Sequence, residues 1–234
     1  MPPLAILAGG LATRLGPLTE KIPKSMVEVA GEPFIAHQLR IAAREGISEV
    51  VICAGHLGGQ IEEFVGDGAR FGCRVRFSSD GNGPRGTGGA LRHAIPLIGE
   101  RCMVMYGDSY LDTDFRAVYA AFVAAGKPAL MTVCRNEGQW DKSNVEFRDG
   151  KLVKYDKIDR TSAMHHIDYG LGAIETKAVR DWAASDPFDL ADVYRDLSRR
   201  GMLASYEIRG RFYEIGSPAG LAETDAFIRR HRVK

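Results

Sequence analysis

Short apolar runs recurring between amphipathic stretches constrain this chain more than any other feature. Leu4 to Ala8, Glu49 to Ala54, Met103 to Tyr106 and Ala129 to Val133 are of strand length and dominated by aliphatic and aromatic residues, and Arg74 to Phe77 alternates charged and apolar residues as a further strand. Between them, apolar residues fall at helical spacing: Phe34, Ile35, Leu39 and Ile41 after Pro33, then Gly59 to Val65, then Gly88 to Ile95. Asp114 is placed to cap a further helix that runs to about Ala125. Strands that are apolar throughout, alternating with helices, predict a parallel sheet covered on both faces.

The texture changes after Val133. Val145 to Phe147 and Leu152 to Tyr155 flank Asp149-Gly150, a hairpin signal. A third strand is expected at Leu171 to Ile174, helices at Lys177 to Ala184 and Leu190 to Arg200, and a terminal helix from Pro218. The expected fold is α/β: a doubly wound, mostly parallel, Rossmann-like sheet with a small mixed α/β region over its carboxyl edge, where such sheets bind ligands. The 234 residues suit one domain, with residues 1–135 mainly the doubly wound core and 136–234 mainly the smaller mixed region and the terminal helices.

Charge narrows the partners. A formal net charge of +1 argues against a broad basic surface for nucleic acid or anionic lipid, so a small molecule met by local cations is expected. Cys53, Cys73, Cys102 and Cys134 lie in or beside apolar runs without CxxC spacing, as expected of buried, reduced thiols. No apolar run approaches the ~20 residues of a membrane span. The N-terminus passes into a strand without a basic n-region, so cytoplasm is the expected location.

The chemistry concentrates in Leu7-Ala8-Gly9-Gly10-Leu11-Ala12-Thr13-Arg14-Leu15-Gly16, followed by Pro23-Lys24. Paired glycines after a strand put bare backbone N–H groups at the sheet edge, where an anion can approach. Arg14 adds a forked cation suited to phosphate oxygens and Lys24 a compact one. Asp108, with Gly107 beside it, ends an apolar strand at that same edge, where a hard cation can bridge phosphates. Gly86 to Gly89 is a glycine turn that feeds a helix. A literal GxGxxG at Gly81, Gly83 and Gly86 is interrupted by Pro84 and lacks Rossmann spacing, which disfavours an oxidoreductase.

Together these segments resemble the sugar-1-phosphate nucleotidylyltransferases. The resemblance runs from Leu7 to Gly31, through Gly86 to Leu91, Tyr106 to Asp108 and Lys157, to Glu214-Ile215-Gly216-Ser217-Pro218. It implies a nucleotide site at Leu7, Ala8, Gly9, Gly10, Thr13, Arg14, Gly55, Pro84, Gly86, Thr87 and Gly107. It implies that residues 1–135 are mainly the nucleotide-binding core and 136–234 mainly the sugar-phosphate-binding part with the terminal helices, with a sugar-phosphate site at Asn144, Lys157, Asp168, Tyr169 and Gly170. Arg14, Lys24 and Asp108 take the catalytic roles, and Asp108 with Glu214 would hold Mg2+. Relatives usually carry Asp where Glu214 stands, and Asn-Ala or Asn-Gly where Asp168-Tyr169 stands. The implied partners are a nucleoside triphosphate and a sugar 1-phosphate, with room for a homodimer and without nucleic acid or membrane. Among short members, the pattern is most similar to heptose-1-phosphate guanylyltransferases, which points to GTP with a heptose or mannose phosphate. Uridylyltransferases for N-acetylmuramate or glucose phosphate are the alternative, and a non-catalytic sugar-nucleotide sensor is the alternative of another class. His165 and His166 are expected in a loop, at the surface or a pocket rim. Trp140 is expected either to cover the sugar or to pack the smaller region.

Overall fold

The computed structural model describes residues 1–10, 15–16, 19–81 and 83–231. In chain order the elements are β1 (Leu4–Leu7), β2 (Glu28–Val29), β3 (Glu32–Pro33), α1 (Phe34–Arg44), β4 (Glu49–Ala54), α2 (Gly58–Val65), β5 (Arg74–Ser79), α3 (Gly86–Ile98), β6 (Arg101–Tyr106) and β7 (Ser109–Tyr110). The second half adds α4 (Phe115–Ala125), β8 (Ala129–Arg135), β9 (Val145–Arg148), β10 (Lys151–Tyr155), β11 (His166–Glu175), α5 (Thr176–Arg180), α6 (Leu190–Arg199), β12 (Leu203–Ile208), β13 (Tyr213–Glu214) and α7 (Pro218–His231).

The alternation of buried side chains sorts the helices. Leu4 and Ile6 face one side of the sheet with Ile35 and Leu39 of α1, Ile61 of α2 and Phe115 of α4. Ala5 and Leu7 face the other, against Leu91 of α3, Val179 of α5 and Val193 of α6. This is the doubly wound arrangement that the apolar strands predict. β6, β1, β4 and β5 lie side by side and parallel, and the chain winds outward from β1 in both directions. The carboxyl ends of β1 and β6 therefore form the topological switch point, where a crevice opens.

β11 builds the wall of that crevice. Its second half pairs antiparallel with β6 from Leu171 to Glu175, whereas His166 to Asp168 run past the carboxyl end of β6 and take β9 as neighbour. The β9–β10 hairpin turns on Asp149 (φ 51°) and Gly150 (φ 75°), the left-handed pair of a type I′ turn. It stands over the carboxyl edge as a continuation of the main sheet. On the other side of β11, β8 pairs antiparallel and β12 parallel to β8.

Several boundaries differ from expectation. The strand at Leu203–Ile208 is absent from the sequence reading, because its Ser205, Tyr206 and Glu207 break the apolar run. The third strand is ten residues, not four, since His166 to Asp168 continue it past β6. The helix from Lys177 stops at Arg180, where Asp181 and Trp182 close it with bonds to the carbonyls of Lys177 and Val179. Asp114 caps α4 as expected, accepting the Ala117 N–H at 2.9 Å. α7 returns to the start of the chain: Ile228 and Ile215 pack on Val29 and Phe34, and Asp225 accepts the Ala30 N–H at 2.6 Å. No helix among the described residues is long and apolar enough to cross a membrane.

Candidate active site

Two cavities meet at the switch point. One, of about 270 Å3, is lined by Leu7, Ala8, Gly9, Gly10, Lys24, Asp80, Pro84, Gly86, Thr87 and Gly107 among others. The second, of about 550 Å3, is lined by Asn144, Lys157, Asp168, Tyr169, Gly170 and Glu214 among others. Tyr106 and Asp108 border both. The residues expected to hold a nucleotide and those expected to hold a sugar phosphate thus face two chambers with one common wall. Thr13 and Arg14 lie outside the described residues, and Gly55 sits directly behind Gly9.

The first chamber owes its shape to close backbone approaches. A Cβ on Gly55 would lie 2.7 Å from the Gly9 carbonyl oxygen, and one on Gly107 would lie 2.8 Å from that of Leu7. Gly107 N–H donates to that same Leu7 oxygen at 2.9 Å. A Cβ on Gly10, by contrast, would meet nothing within 4 Å among the described residues, and Gly10 is exposed in the chamber lining. Pro23 is extended (φ −68°, ψ 151°) and leads into a single 3-10 turn over Lys24–Met26. That turn aims Lys24 Nζ at Asp108 Oδ2, 3.0 Å away.

The glycine turn at 86–89 opens α3 and contributes Gly86 and Thr87 to the chamber. Its glycines also answer a packing demand that the sequence did not show. A side chain on Gly86 or Gly88 would strike Phe188, and one on Gly89 would strike the Asp186 carboxylate. Arg85 and Arg92 both pair with Asp186, at 2.8 and 2.5 Å, which ties the 186–189 loop onto α3. Despite desolvation, those two guanidinium groups hold the Asp186 carboxyl below its usual range.

In the second chamber, a register shift in β11 between Asp168 and Gly172, with Gly170 at φ 96°, turns Asp168 toward the cavity. Burial raises its pKa, opposed by the Lys157 charge and the Gly170 N–H at 3.0 Å. Its Oδ2 has no hydrogen-bond partner among the described residues. Asn144 Oδ1 accepts the Asp168 N–H at 3.0 Å, which orients the Asn144 amide with its NH2 group away from that bond. Lys157 Nζ sits 5.6 Å from the Tyr106 ring centroid. Tyr169 is 1% exposed and supports the wall from behind, packed edge-on against Phe212 with its hydroxyl 3.4 Å from the Arg211 carbonyl. Trp140 packs on Phe212 and under the Arg211 guanidinium, as expected of a residue that packs the smaller region, and it also lines the chamber.

Glu214 borders the same chamber as Asp108, carried there by the pairing of β13 with β7 and by the Ile215 N–H donating to the Asp108 carbonyl at 2.9 Å. Its carboxylate turns toward the start of α7, accepting from the Gly216 N–H and from Ser217 Oγ at 2.7 Å. The histidines correct the sequence reading in part. His165 is exposed beside Glu137, but His166 is buried in β11, stacked near Phe147 and bonded to Glu207 at 3.0 Å, because the strand begins there. Neither lines a chamber. Asp80, which does, drew no attention in the sequence.

The nucleotidyl transferase family model matches residues 4–143, which include β1, the glycine turns and Asp108. The chain belongs to the nucleotidyl transferase family. It is 38% identical over 115 residues to N-acetylmuramate alpha-1-phosphate uridylyltransferase of Neisseria meningitidis, matching 49% of this chain and half the length of that protein. It is 23% identical over 214 residues to D-glycero-alpha-D-manno-heptose 1-phosphate guanylyltransferase of Campylobacter jejuni, covering 91% of this chain and 94% of the relative. The fold superposes on UDP-glucose pyrophosphorylase of Acinetobacter baumannii with a TM-score of 0.82 at 16% identity, covering 97% of this chain and 93% of that one.

Proposed function

We propose that this chain transfers a nucleoside monophosphate from a nucleoside triphosphate to a sugar 1-phosphate, with release of pyrophosphate. The observation that carries the reading is the Lys24–Asp108 pair, 3.0 Å apart, at the junction of the two chambers. A triphosphate in the first chamber and a sugar phosphate in the second would meet there.

The reaction needs no general base. A phosphate monoester has a second pKa near ~6 and is already an anion at neutral pH. Its oxygen forms a bond to the α-phosphorus, the bond to the β-bridging oxygen breaks, and the electron pair leaves with pyrophosphate. The protein must hold two anions in line and stabilise the charge that develops. Lys24 rests on Asp108; a triphosphate over Gly9 and Gly10 offers it a partner of higher charge at the α-phosphate. Lys157, beside the Tyr106 ring, orients the sugar phosphate. Arg14 is assigned to the β and γ phosphates on sequence alone.

The donor set fits magnesium held chiefly by substrate. No group of three or more His, Cys, Asp or Glu that could hold a metal occurs among the described residues, and Mg2+ commonly takes one or two carboxylates plus phosphate oxygens. Asp108 would be the principal protein ligand and Glu214 the second, once its carboxylate leaves the turn before α7. Bound there, the ion would neutralise charge on the α-phosphate and the departing pyrophosphate.

For substrates, GTP with a heptose or mannose 1-phosphate is our first choice, supported by the Campylobacter relative's coverage of both chains. The higher identity to the Neisseria uridylyltransferase over half the chain favours the second choice, UTP with N-acetylmuramate or glucose 1-phosphate. A matrix of triphosphates against sugar 1-phosphates, scored by pyrophosphate release, tests the reading. Turnover confined to GTP with a heptose or mannose phosphate supports the first choice; binding without turnover in every pairing would leave a sensor.

A further inference from the structure

Gln38 lies one turn into α1 on the face that packs inward. Its neighbours at helical spacing, Phe34, Ile41 and Ala42, are buried and apolar, and Gln38 itself is 0% exposed. An amide in such a stripe must find partners inside the protein. Both of its N–H donors go to one short turn. Nε2 donates to the Tyr106 carbonyl and to the Ser109 carbonyl, each at 2.9 Å. Those two carbonyls bracket Gly107 and Asp108. The orientation of the amide follows, since the opposite one would set Oε1 against two carbonyl oxygens. Oε1 has no hydrogen-bond partner among the described residues.

The other main-chain bonds of the turn show what this clamp adds. Gly107 N–H donates to the Leu7 carbonyl of β1, and the Asp108 carbonyl accepts from Ile215, each at 2.9 Å. Ser109 pairs with Glu214 across β7 and β13. These contacts tie the turn to β1 and to the strand before α7; Gln38 adds the tie to α1. That helix is bonded in its turn to the lysine segment. Phe34 N–H, at its start, donates to the Val27 carbonyl at 3.0 Å, and the Val27 N–H donates to the Lys24 carbonyl at 3.0 Å. One buried side chain therefore links the helix anchored beside Lys24 to the turn that carries Asp108, behind the 3.0 Å contact between the two.

We propose that Gln38 is a positioning residue for nucleotidyl transfer: it holds the carbonyls on either side of Gly107 and Asp108, and so fixes the Asp108 carboxylate relative to Lys24. It touches neither substrate and acts through Asp108. This rests on the transfer reading above and adds a residue to it. Gly107 contributes no side chain that could pack and stiffen the turn, so the shape of the turn depends on bonds made to its main chain. The geometric demand is steep, because misplacing a group by about 1 Å can cost roughly a hundredfold in rate.

The test compares wild type with Gln38→Met and Gln38→Asn, each alone and combined with Asp108→Asn. Met keeps the length without the donors; Asn keeps the donors on a stem too short to reach. Leu39→Val, at another fully buried position of α1, controls for lost packing and should keep wild-type kcat. With the accepted substrate pair, kcat should fall roughly tenfold to a hundredfold in both Gln38 variants, with KM for each substrate little changed. In the Asp108→Asn background the same substitutions should cause little further loss, because the group they displace is gone. Hydrogen exchange gives a readout independent of turnover. Amides of residues 107–110 should exchange roughly tenfold faster in Gln38→Met, the worth of a lost hydrogen bond, while those of β4 stay protected. Should Gln38→Met not fold, Gln38→Asn carries both readouts. Wild-type kcat in both variants overturns the proposal, as does an equal loss of kcat with and without the Asp108 carboxylate. If wild type releases no pyrophosphate in any pairing, the transfer reading fails and the positioning role falls with it, while the exchange rates still report whether Gln38 holds the turn.

Discussion

Lys24 and Asp108 are adjacent only in the folded chain, and each depends on a local rule visible in the sequence. Pro23 sets the backbone before the lysine, and the end of an apolar strand exposes the aspartate. Lys24→Ala and Asp108→Asn are each expected to lower turnover at least about a hundredfold, the lower range for one lost transition-state electrostatic contact. Stopped assays of pyrophosphate release at saturating substrate check this. Asp168→Ala should act differently, raising KM for the sugar phosphate with a smaller change in kcat, since it faces the second chamber and not the Lys24–Asp108 junction. Separate titrations of the two substrates read that split. Asp80 was illegible for a clear reason. Ser78-Ser79-Asp80-Gly81 reads as any polar turn, and its place in the first chamber comes from lying against Gly9 and Gly55, which the chain reaches 71 and 25 residues earlier.

At the scale of elements, the strand–glycine–helix punctuation was readable, but the partner of each glycine was not. Gly86 reads as a glycine of a nucleotide-facing turn; its φ of 70° and the Phe188 carbonyl that a Cβ would strike are what exclude a side chain. Gly86→Ala should destabilise the protein by on the order of 3 kcal/mol, combining left-handed strain with displacement of the 186–189 loop. Gly83→Ala, where no described residue lies within 4 Å of the added Cβ, should stay within about 0.5 kcal/mol in the same urea titration. The same loop carries a pH dependence. Arg92 and Arg85 lower the Asp186 carboxyl against its desolvation, so its contribution to stability is present above the ordinary carboxyl range, about pH 4. That contribution is lost as pH falls through the lowered folded value. Asp186→Asn should therefore be less stable at neutral pH and show a shallower acid limb, as followed by denaturant midpoints across pH.

For the molecule as a whole, continuous apolar strands made the doubly wound core legible, because burial on both faces leaves a strong composition signal. The carboxyl-side wall was only partly legible. β11 changes neighbours along its length, from β9 to β6, and β12 is short and polar at its centre; neither feature has a periodic signature. The buried thiols belong to this scale too. Burial pushes Cys53 and Cys134 up to about 12 and Cys73 up to about 11, so all three stay neutral at physiological pH. An alkylating reagent at pH 8 should leave all three unlabelled in the native protein and label them after denaturation in guanidinium, as read by intact mass.

The central claim is that this sheet edge joins a nucleoside triphosphate to a sugar phosphate across the Lys24–Asp108 junction. Its most direct measurement is pyrophosphate release from a panel of triphosphates and sugar 1-phosphates, with and without magnesium, by wild type and Asp108→Asn. The account predicts magnesium-dependent turnover by wild type in at least one pairing, reduced about a hundredfold or more in the variant. Turnover by Asp108→Asn equal to that of wild type in the same pairing would contradict it.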